Sequence, residues 1–386
     1  MKKTWILLLV AAVTIPLQSF IKTAWADVGY DKGFYILSED KNFKFNFRFQ
    51  IAPRHEYIYR DVKLDTNTFS LSRLRTFFTG HAFSPKYRYF LTVEYSGSAG
   101  SPTVRDGFVE LDVAAPLTIT VGQFGVELDR EDIYSPTTHQ LIGFSKMYDH
   151  FGIDRDLGLQ FTVKAFSRLT SYAFIFNGDG QSTKNKNTEL VTGARLAYAV
   201  LGESPGAPGD YDYSENPNLE IGTTFVYDWG AAAETKDFDS FVKRNIAPFE
   251  TRLVRGDGDG IFTWRGFSTM GQWQFASNSQ YRSFDHGFMI QSGYYLVKKK
   301  FEVAGRYSAT YPDFPFPALA QTGQTSPDNG GNGSGGIPIY EYTGGMNYYF
   351  KGHQFKVQTT YSFVRNQYGI LFNNEHFIRS QLMMTF

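Results

Sequence analysis

The sequence predicts an all-β fold, a transmembrane antiparallel β-barrel of sixteen strands. Three observations carry that reading: period-two alternation that recurs along the chain, long and short links that follow one another in order, and a last strand that ends on an aromatic residue. Residues 43–51 read FKFNFRFQI, with Phe or Ile at every odd position and Lys, Asn, Arg or Gln at every even one. Successive side chains leave opposite faces of a pleated strand, so this segment is apolar on one face and polar on the other. The same alternation returns in Tyr87, Tyr89, Leu91 and Val93, in Leu157, Leu159, Phe161 and Val163, and in Phe355, Val357, Thr359 and Tyr361.

The N-terminus comes first in the chain and is set apart from the fold. Lys2 and Lys3 precede a short apolar run over 5–16, and Ala24-Trp25-Ala26 stands before Asp27. A basic start, a short apolar stretch and an A-x-A site form a secretory signal peptide, so residues 1–26 are expected to be cleaved after Ala26 and 27–386 to form one barrel domain. Removing Lys2, Lys3 and Lys22 leaves 35 basic residues against 38 acidic ones, a balance that gives nucleic acid no basic surface. The chain has no cysteine, so disulfide staples do not hold it together. No run of 18 apolar residues follows the signal, which excludes helical spans. Aromatic residues are nonetheless 17% of the chain, with 37 Phe and 25 Tyr. Strands that are apolar on one face only reconcile those two facts.

Strands are expected near 43–59, 69–83, 87–96, 104–114, 117–124, 155–166, 169–177, 189–200, 218–228, 259–266, 268–277, 286–297, 301–311, 339–350, 354–365 and 376–386. Links after odd strands are long (60–68, 125–154, 229–258, 312–338), whereas those after even strands are tight, such as 84–86, 115–116, 298–300 and 351–353. The exception is 201–217, within LGESPGAPGDYDYSENPN. A soluble sandwich has no reason to sort its loops by parity. An outer-membrane barrel does, with short turns on the periplasmic side and long loops outside, and closure leaves no sheet edge in lipid. In the last segment Ile378, Leu382, Met384 and Phe386 share a face, and the terminal aromatic resembles the signal by which the barrel-assembly machinery recognises its clients. The odd positions of FKFNFRFQI therefore face the outer-membrane lipids and its even positions a lumen.

With the strands placed, the motifs resemble, in order, those of the phosphate-selective porin O/P family of Gram-negative outer membranes: GFYILSEDKNFKFNFRFQI as a first strand, SLSRLRTFFTGHAFSPKYRYFLTVEYSG, LTITVGQFG before a pore loop, DRDLGLQF after it, then FIFNGDG, ELVTGARLAY, FEVAGRYS and GMNYYFKGHQFKVQTTYSFV. The resemblance spans about Gly33 to Phe386 and implies a sixteen-stranded, homotrimeric porin of the outer membrane, with its third outer loop folded inward as the constriction.

Pleat parity and that resemblance nominate the working residues. Lys44, Arg48, Arg73, Arg75, Arg88, Lys164, Arg195 and Arg306 are expected to form a basic wall along the pore. The loop 125–154 carries Glu127, Asp129, Glu131, Asp132 and Asp149 (with Asp154 at its end) against Arg130 and Lys146. An acidic loop facing an arginine wall sets up a transverse field, and charged rings select ions by that electrostatics. Because the loop leans acidic, the expectation is passive diffusion of small anionic or zwitterionic solutes with a mild anion preference rather than strict phosphate selection. The competing readings are a lipase-like barrel enzyme and a plugged structural or adhesive barrel; sixteen strands leave a channel where about eight do not.

No cofactor or metal is called for. Gly331, Gly333 and Gly336 match a nucleotide-binding spacing but lie in SPDNGGNGSGG, without the strand and helix that motif needs. Asp257 and Asp259 in RGDGDG lack the later glutamate of a calcium loop and read as a turn. The seven histidines make no metal spacing. No G-x-S-x-G elbow occurs.

Overall fold

The computed structural model describes residues 26–60, 63–96, 101–185, 187–231, 251–278, 283–313, 338–368 and 371–386. Its strands are β1 (Ala26–Tyr30), β2 (Phe34–Ser38), β3 (Lys44–Arg60), β4 (Lys63–His81), β5 (Tyr87–Glu94), β6 (Thr103–Ala114), β7 (Leu117–Gly125), β8 (Arg155–Ala165), β9 (Leu169–Phe176), β10 (Val191–Leu201), β11 (Asn218–Ala231), β12 (Thr251–Trp264), β13 (Phe267–Asn278), β14 (Ser283–Val297), β15 (Phe301–Tyr311), β16 (Ile339–Lys351), β17 (Phe355–Tyr368) and β18 (Leu371–Thr385). Two short helices, α1 (Arg130–Ile133) and α2 (Lys146–Phe151), lie between β7 and β8.

Strands β3 to β18 pair antiparallel, each with the next, and β18 returns to β3 with Glu375 opposite Arg60 and Thr385 opposite Gln50. That closes a sixteen-strand barrel and satisfies every ladder without a free edge. Phe386 completes the seam. Its N–H donates to the Phe49 carbonyl at 2.9 Å and its carbonyl accepts from the Phe49 N–H at 2.7 Å.

The pleat sorts the two faces as the alternation demands. Phe45 and Phe47 share the β3 face that packs on Phe78, while Arg48 and Gln50 take the other face and line the interior. Exposed apolar side chains, which a soluble protein would not display in bulk, band the exterior: Leu91, Ile221, Phe225, Ile290 and Ile378 among them. Tyr87, Trp264, Tyr294 and Tyr348 add an aromatic girdle near the short-turn end, where amphipathic rings meet the lipid interface. Ile378, Leu382 and Met384 of β18, and Phe386 just beyond it, are all exposed on this outer face.

Three local expectations are corrected. The segment 34–51 is two strands rather than one: β2 turns through Lys41 (φ 57°) and lies antiparallel on the start of β3, Phe34 opposite Phe47. With β1 it forms a hairpin beside the barrel seam, outside the sixteen. The long link 60–68 is instead strand, because residues 63–69 continue the ladder with β3 to Lys63 opposite Arg60. Asp257 and Asp259 are not in a turn but in β12, which begins eight residues earlier than the alternation suggested. Glycines at 256, 258 and 260 hide that alternation, since they put no side chain on the outer face. The glycine-rich motif 331–336 and the signal segment before Ala26 lie outside the described residues.

Candidate functional site: the lumen and its inward loop

The link 126–154 does not stand out from the barrel mouth; it enters the lumen and docks on one side of the wall. Asp129 caps α1, its side chain accepting from the Glu131 N–H at 2.7 Å, and Ser145 caps α2 by accepting from the Tyr148 N–H at 3.0 Å. Between the helices, Gly143 takes a left-handed φ of 88° that turns the chain back. Three ionic anchors then hold the loop to β10–β16. Arg130 is 2% exposed and donates to Glu220 on β11 and, at 2.7 Å, to Asp259 on β12. Asp259 is shared with Arg195 of β10, 2.7 Å away. Arg306 of β15 spans Glu131 of the loop (3.1 Å) and Glu341 of β16 (2.7 Å), and also donates to the carbonyls of Gly143 and Phe144.

Neutral contacts fill the spaces between these anchors. Gln140 donates to Glu302 at 2.6 Å and accepts from Gln291, and its carbonyl accepts from Asn347 at 2.8 Å. The His139 carbonyl accepts from Lys356 and Gln358. Tyr134, Met147 and Phe151 close an apolar cluster with Ile261, Met270 and Met289 of the wall. Burial holds the His139 imidazole down at about 3, with the charges of Arg73 and Lys356 adding to the effect, so it is neutral.

A second segment reaches the same place from the opposite end. The link 202–217, the one long connection on the short-turn side, folds up into the barrel. Tyr134 donates to the Pro205 carbonyl at 3.2 Å, and Tyr211 packs against Tyr295, Tyr349 and His353. Asp210 fixes the turn by accepting from the Ser214 N–H (3.0 Å), the Ser214 hydroxyl (2.7 Å) and the Gly266 N–H (2.6 Å). The β10–β17 side of the lumen is therefore occupied. Among the described residues, a cavity of about 350 Å³ lies between the loop and the wall β3–β8, bordered by Arg48, Gln50, Arg75, Thr79, Glu127 and Arg155.

The nominated residues divide between these two sides. Arg48 and Arg75 line the cavity; Arg75 is paired with Glu94. Arg73 is two positions along from Arg75, with Arg75, Arg54 and Arg105 as neighbouring charges and Glu94 the opposing carboxylate. Arg88 sits near the short-turn end, forked onto Glu110 and Asp112. Lys44 lies over the Tyr35 ring at the same end, and Lys164 is exposed there beside the tight turn 166–168. Arg195 and Arg306 face inward but lie beneath the loop, 1% and 5% exposed, and hold it rather than border the opening.

The loop charges turn in both directions. Asp129 and Glu131 are buried against the far wall, Asp129 accepting from Gln274. Asp132 meets Arg155, Lys146 pairs with Asp149 at 2.8 Å, and Asp154 binds Arg105 at 2.7 Å. Glu127 borders the cavity with its Oε2 lacking a hydrogen-bond partner, and burial pushes its carboxyl up to about 7 against the pull of Arg195 and Arg130. The strand arginines Arg54, Arg105 and Arg155, absent from the nominated wall, complete the charge pattern; the inward parity of Arg54, two residues beyond Ala52, was the readable sign of the first.

Comparison with solved structures gives the barrel its setting. OprB of Pseudomonas putida superposes with a TM-score of 0.59 at 11% identity, over 92% of this chain and 95% of that one. The fold is that of the outer-membrane porins. An anion-selective porin from Comamonas acidovorans gives 0.57 at 10% identity over 89% and 99%, and OmpT of Vibrio cholerae in its trimer form gives 0.53 at 12% over 88% and 98%. No family model and no curated protein matches the sequence.

Proposed function

We propose that this chain is a passive diffusion porin of a Gram-negative outer membrane, assembled as a homotrimer after cleavage at Ala26, and mildly anion-preferring. The observation that carries the reading is the polar cavity left between the inward loop and the β3–β8 wall. A loop anchored by buried ion pairs narrows the lumen without filling it, and the residue of unanswered charge on the open side leans positive. Arg48 has no acidic partner among the described residues and Arg73 sits among like charges, against one carboxylate, Glu127, whose Oε2 accepts no hydrogen bond. The order of motifs resembles the phosphate-selective O/P porins, but a ladder in which Arg75, Arg88, Arg105 and Arg155 are each neutralised by carboxylates suits small anions in general better than phosphate alone.

Reversal potentials in a KCl gradient across planar bilayers test both parts. Stepwise conductance with a modest bias toward chloride is the expected result. Replacing Arg73 and Arg75 by Gln together shifts the potential toward cations, most strongly at low salt where screening is weakest. A double variant with the parent's potential at low salt contradicts the anion preference. The inward turn 202–217 supports a second reading, a plugged structural barrel, and complete absence of conductance from folded protein would favour it.

A further inference from the structure

The wall of the open passage carries aromatic rings where a purely aqueous pore has no use for them. Phe77 on β4, Phe90 on β5, Phe108 on β6 and Phe124 on β7 all border the cavity. Phe90 and Phe108 are direct cross-strand partners and stack at 4.7 Å with 17° between their planes; Phe124 meets Phe108 edge-on at 6.5 Å. Opposite Phe108 stands Gly122 at φ 131°, where a side chain would collide with the Gly107 carbonyl and the Phe108 backbone, so the close approach of β6 and β7 beside this ring needs glycine. Phe77, Phe90 and Phe108 remain partly exposed, and across the cavity the loop presents Ile133 and Pro136. Wet aromatic faces in a row are covered favourably by a solute that brings an apolar face of its own.

Charge fixes the solute's other end. The Arg48 guanidinium lies over the Phe77 ring at 5.1 Å and makes no ion pair or hydrogen bond among the described residues. The remaining charges that border the cavity are answered: Arg75 by Glu94, Arg155 by Asp106 and Asp132, Glu110 by Arg88. Glu127, on the loop side, is the one acid there whose oxygen lacks a partner.

We infer that the passage contains a subsite for amphipathic monoanions of the aryl carboxylate type, the ring lying along Phe77, Phe90 and Phe108 and the carboxylate taking the fork of Arg48. A planar guanidinium matches both carboxylate oxygens, and its seat on an aromatic face holds it ready. This inference rests on the channel reading and narrows it to a solute class.

The test is current interruption through the full-length protein in planar bilayers, with benzoate, acetate and benzylammonium as probes. Benzoate is expected to block with dwell times about fivefold longer than acetate, the difference an aromatic contact supplies. Benzylammonium, repelled by Arg48, blocks less than benzoate. Exchanging Phe90 and Phe108 for Leu keeps the apolar volume and removes the stacked faces, and shortens benzoate dwell about threefold. R48Q lowers the frequency of benzoate events, most at low salt. Equal dwell times for benzoate and acetate in the unaltered channel, a stronger block by benzylammonium, or unchanged benzoate dwell in F90L/F108L would each overturn the subsite while leaving the porin standing. A folded barrel with no current steps would remove both.

Discussion

Arg306 is the side chain on which the inward loop most depends. Its guanidinium makes three bonds to the loop (Glu131 at 3.1 Å, the Gly143 carbonyl at 3.1 Å and the Phe144 carbonyl at 2.9 Å) and holds Glu341 on the wall at 2.7 Å. Replacing it by Met keeps much of the length and removes every donor. Hydrogen bonds to a charged group contribute about 1.5–3 kcal/mol each, so three at the low end give about 4–5 kcal/mol. The cost of breaking a buried ion pair by removing one partner, about 3–5 kcal/mol, agrees. The upper half of that range applies here, because Glu131 and Glu341 are left 3% and 2% exposed with no cation between them. About 4 kcal/mol lowers the docked-to-released ratio of the loop about a thousandfold. Single-channel recording reads the outcome directly: R306M is expected to show enlarged, flickering conductance, and R306M/E131Q/E341Q, which removes the orphaned charges, to recover much of the steady level. An R306M channel as quiet and as conductive as the parent would refute the claim that this ion pair holds the constriction.

Three further outcomes follow from the same structure. The Glu127 carboxyl, pushed up to about 7, is neutral below that pH and charged above it, so anion preference should rise as pH falls from 8 to 6, and E127Q should abolish the change in reversal potential. D210A, which removes the acceptor for Ser214 and Gly266 at about 1.5–3 kcal/mol per bond, should loosen the turn 202–217 and raise conductance without changing heat-modifiable migration on gels. Deleting Phe386, whose ring lies 5.6 Å from Phe49 at the barrel seam, should lower outer-membrane levels of the protein far more than F49L does.

Much of the barrel is legible in the sequence because period two is a local property. FKFNFRFQI announces its own two faces, and the sixteen-strand count needs nothing beyond the order of residues. The errors fall where the local signal is erased. Glycines in RGDGDG remove the outer face that would have marked β12, and the β2 turn through Lys41 has no Gly or Pro to announce it. The site was less legible. Arginines on strands could be given an inward direction by parity, as Arg48 and Arg75 were. Which of them meet the loop depends on contacts between residues as distant as Arg130 and Asp259, or Glu131 and Arg306, that no spacing reveals. The inward Phe90 of YRYFLTVE did leave a signal, an aromatic on the polar face of its own strand between Arg88 and Thr92.

In the proposed channel the open path runs along β3–β8, and the loop and the inward turn close the opposite side. A chain without cysteine allows a direct measurement with single introduced thiols. Thr79 borders the cavity, whereas Ser308 on β15 points inward but is 0% exposed beneath the loop. With T79C and S308C channels in planar bilayers, a charged methanethiosulfonate added to the bath is expected to change the T79C conductance in discrete steps and to leave S308C unaltered. Rapid modification of S308C with T79C inert would place the path on the other side of the loop and contradict the account.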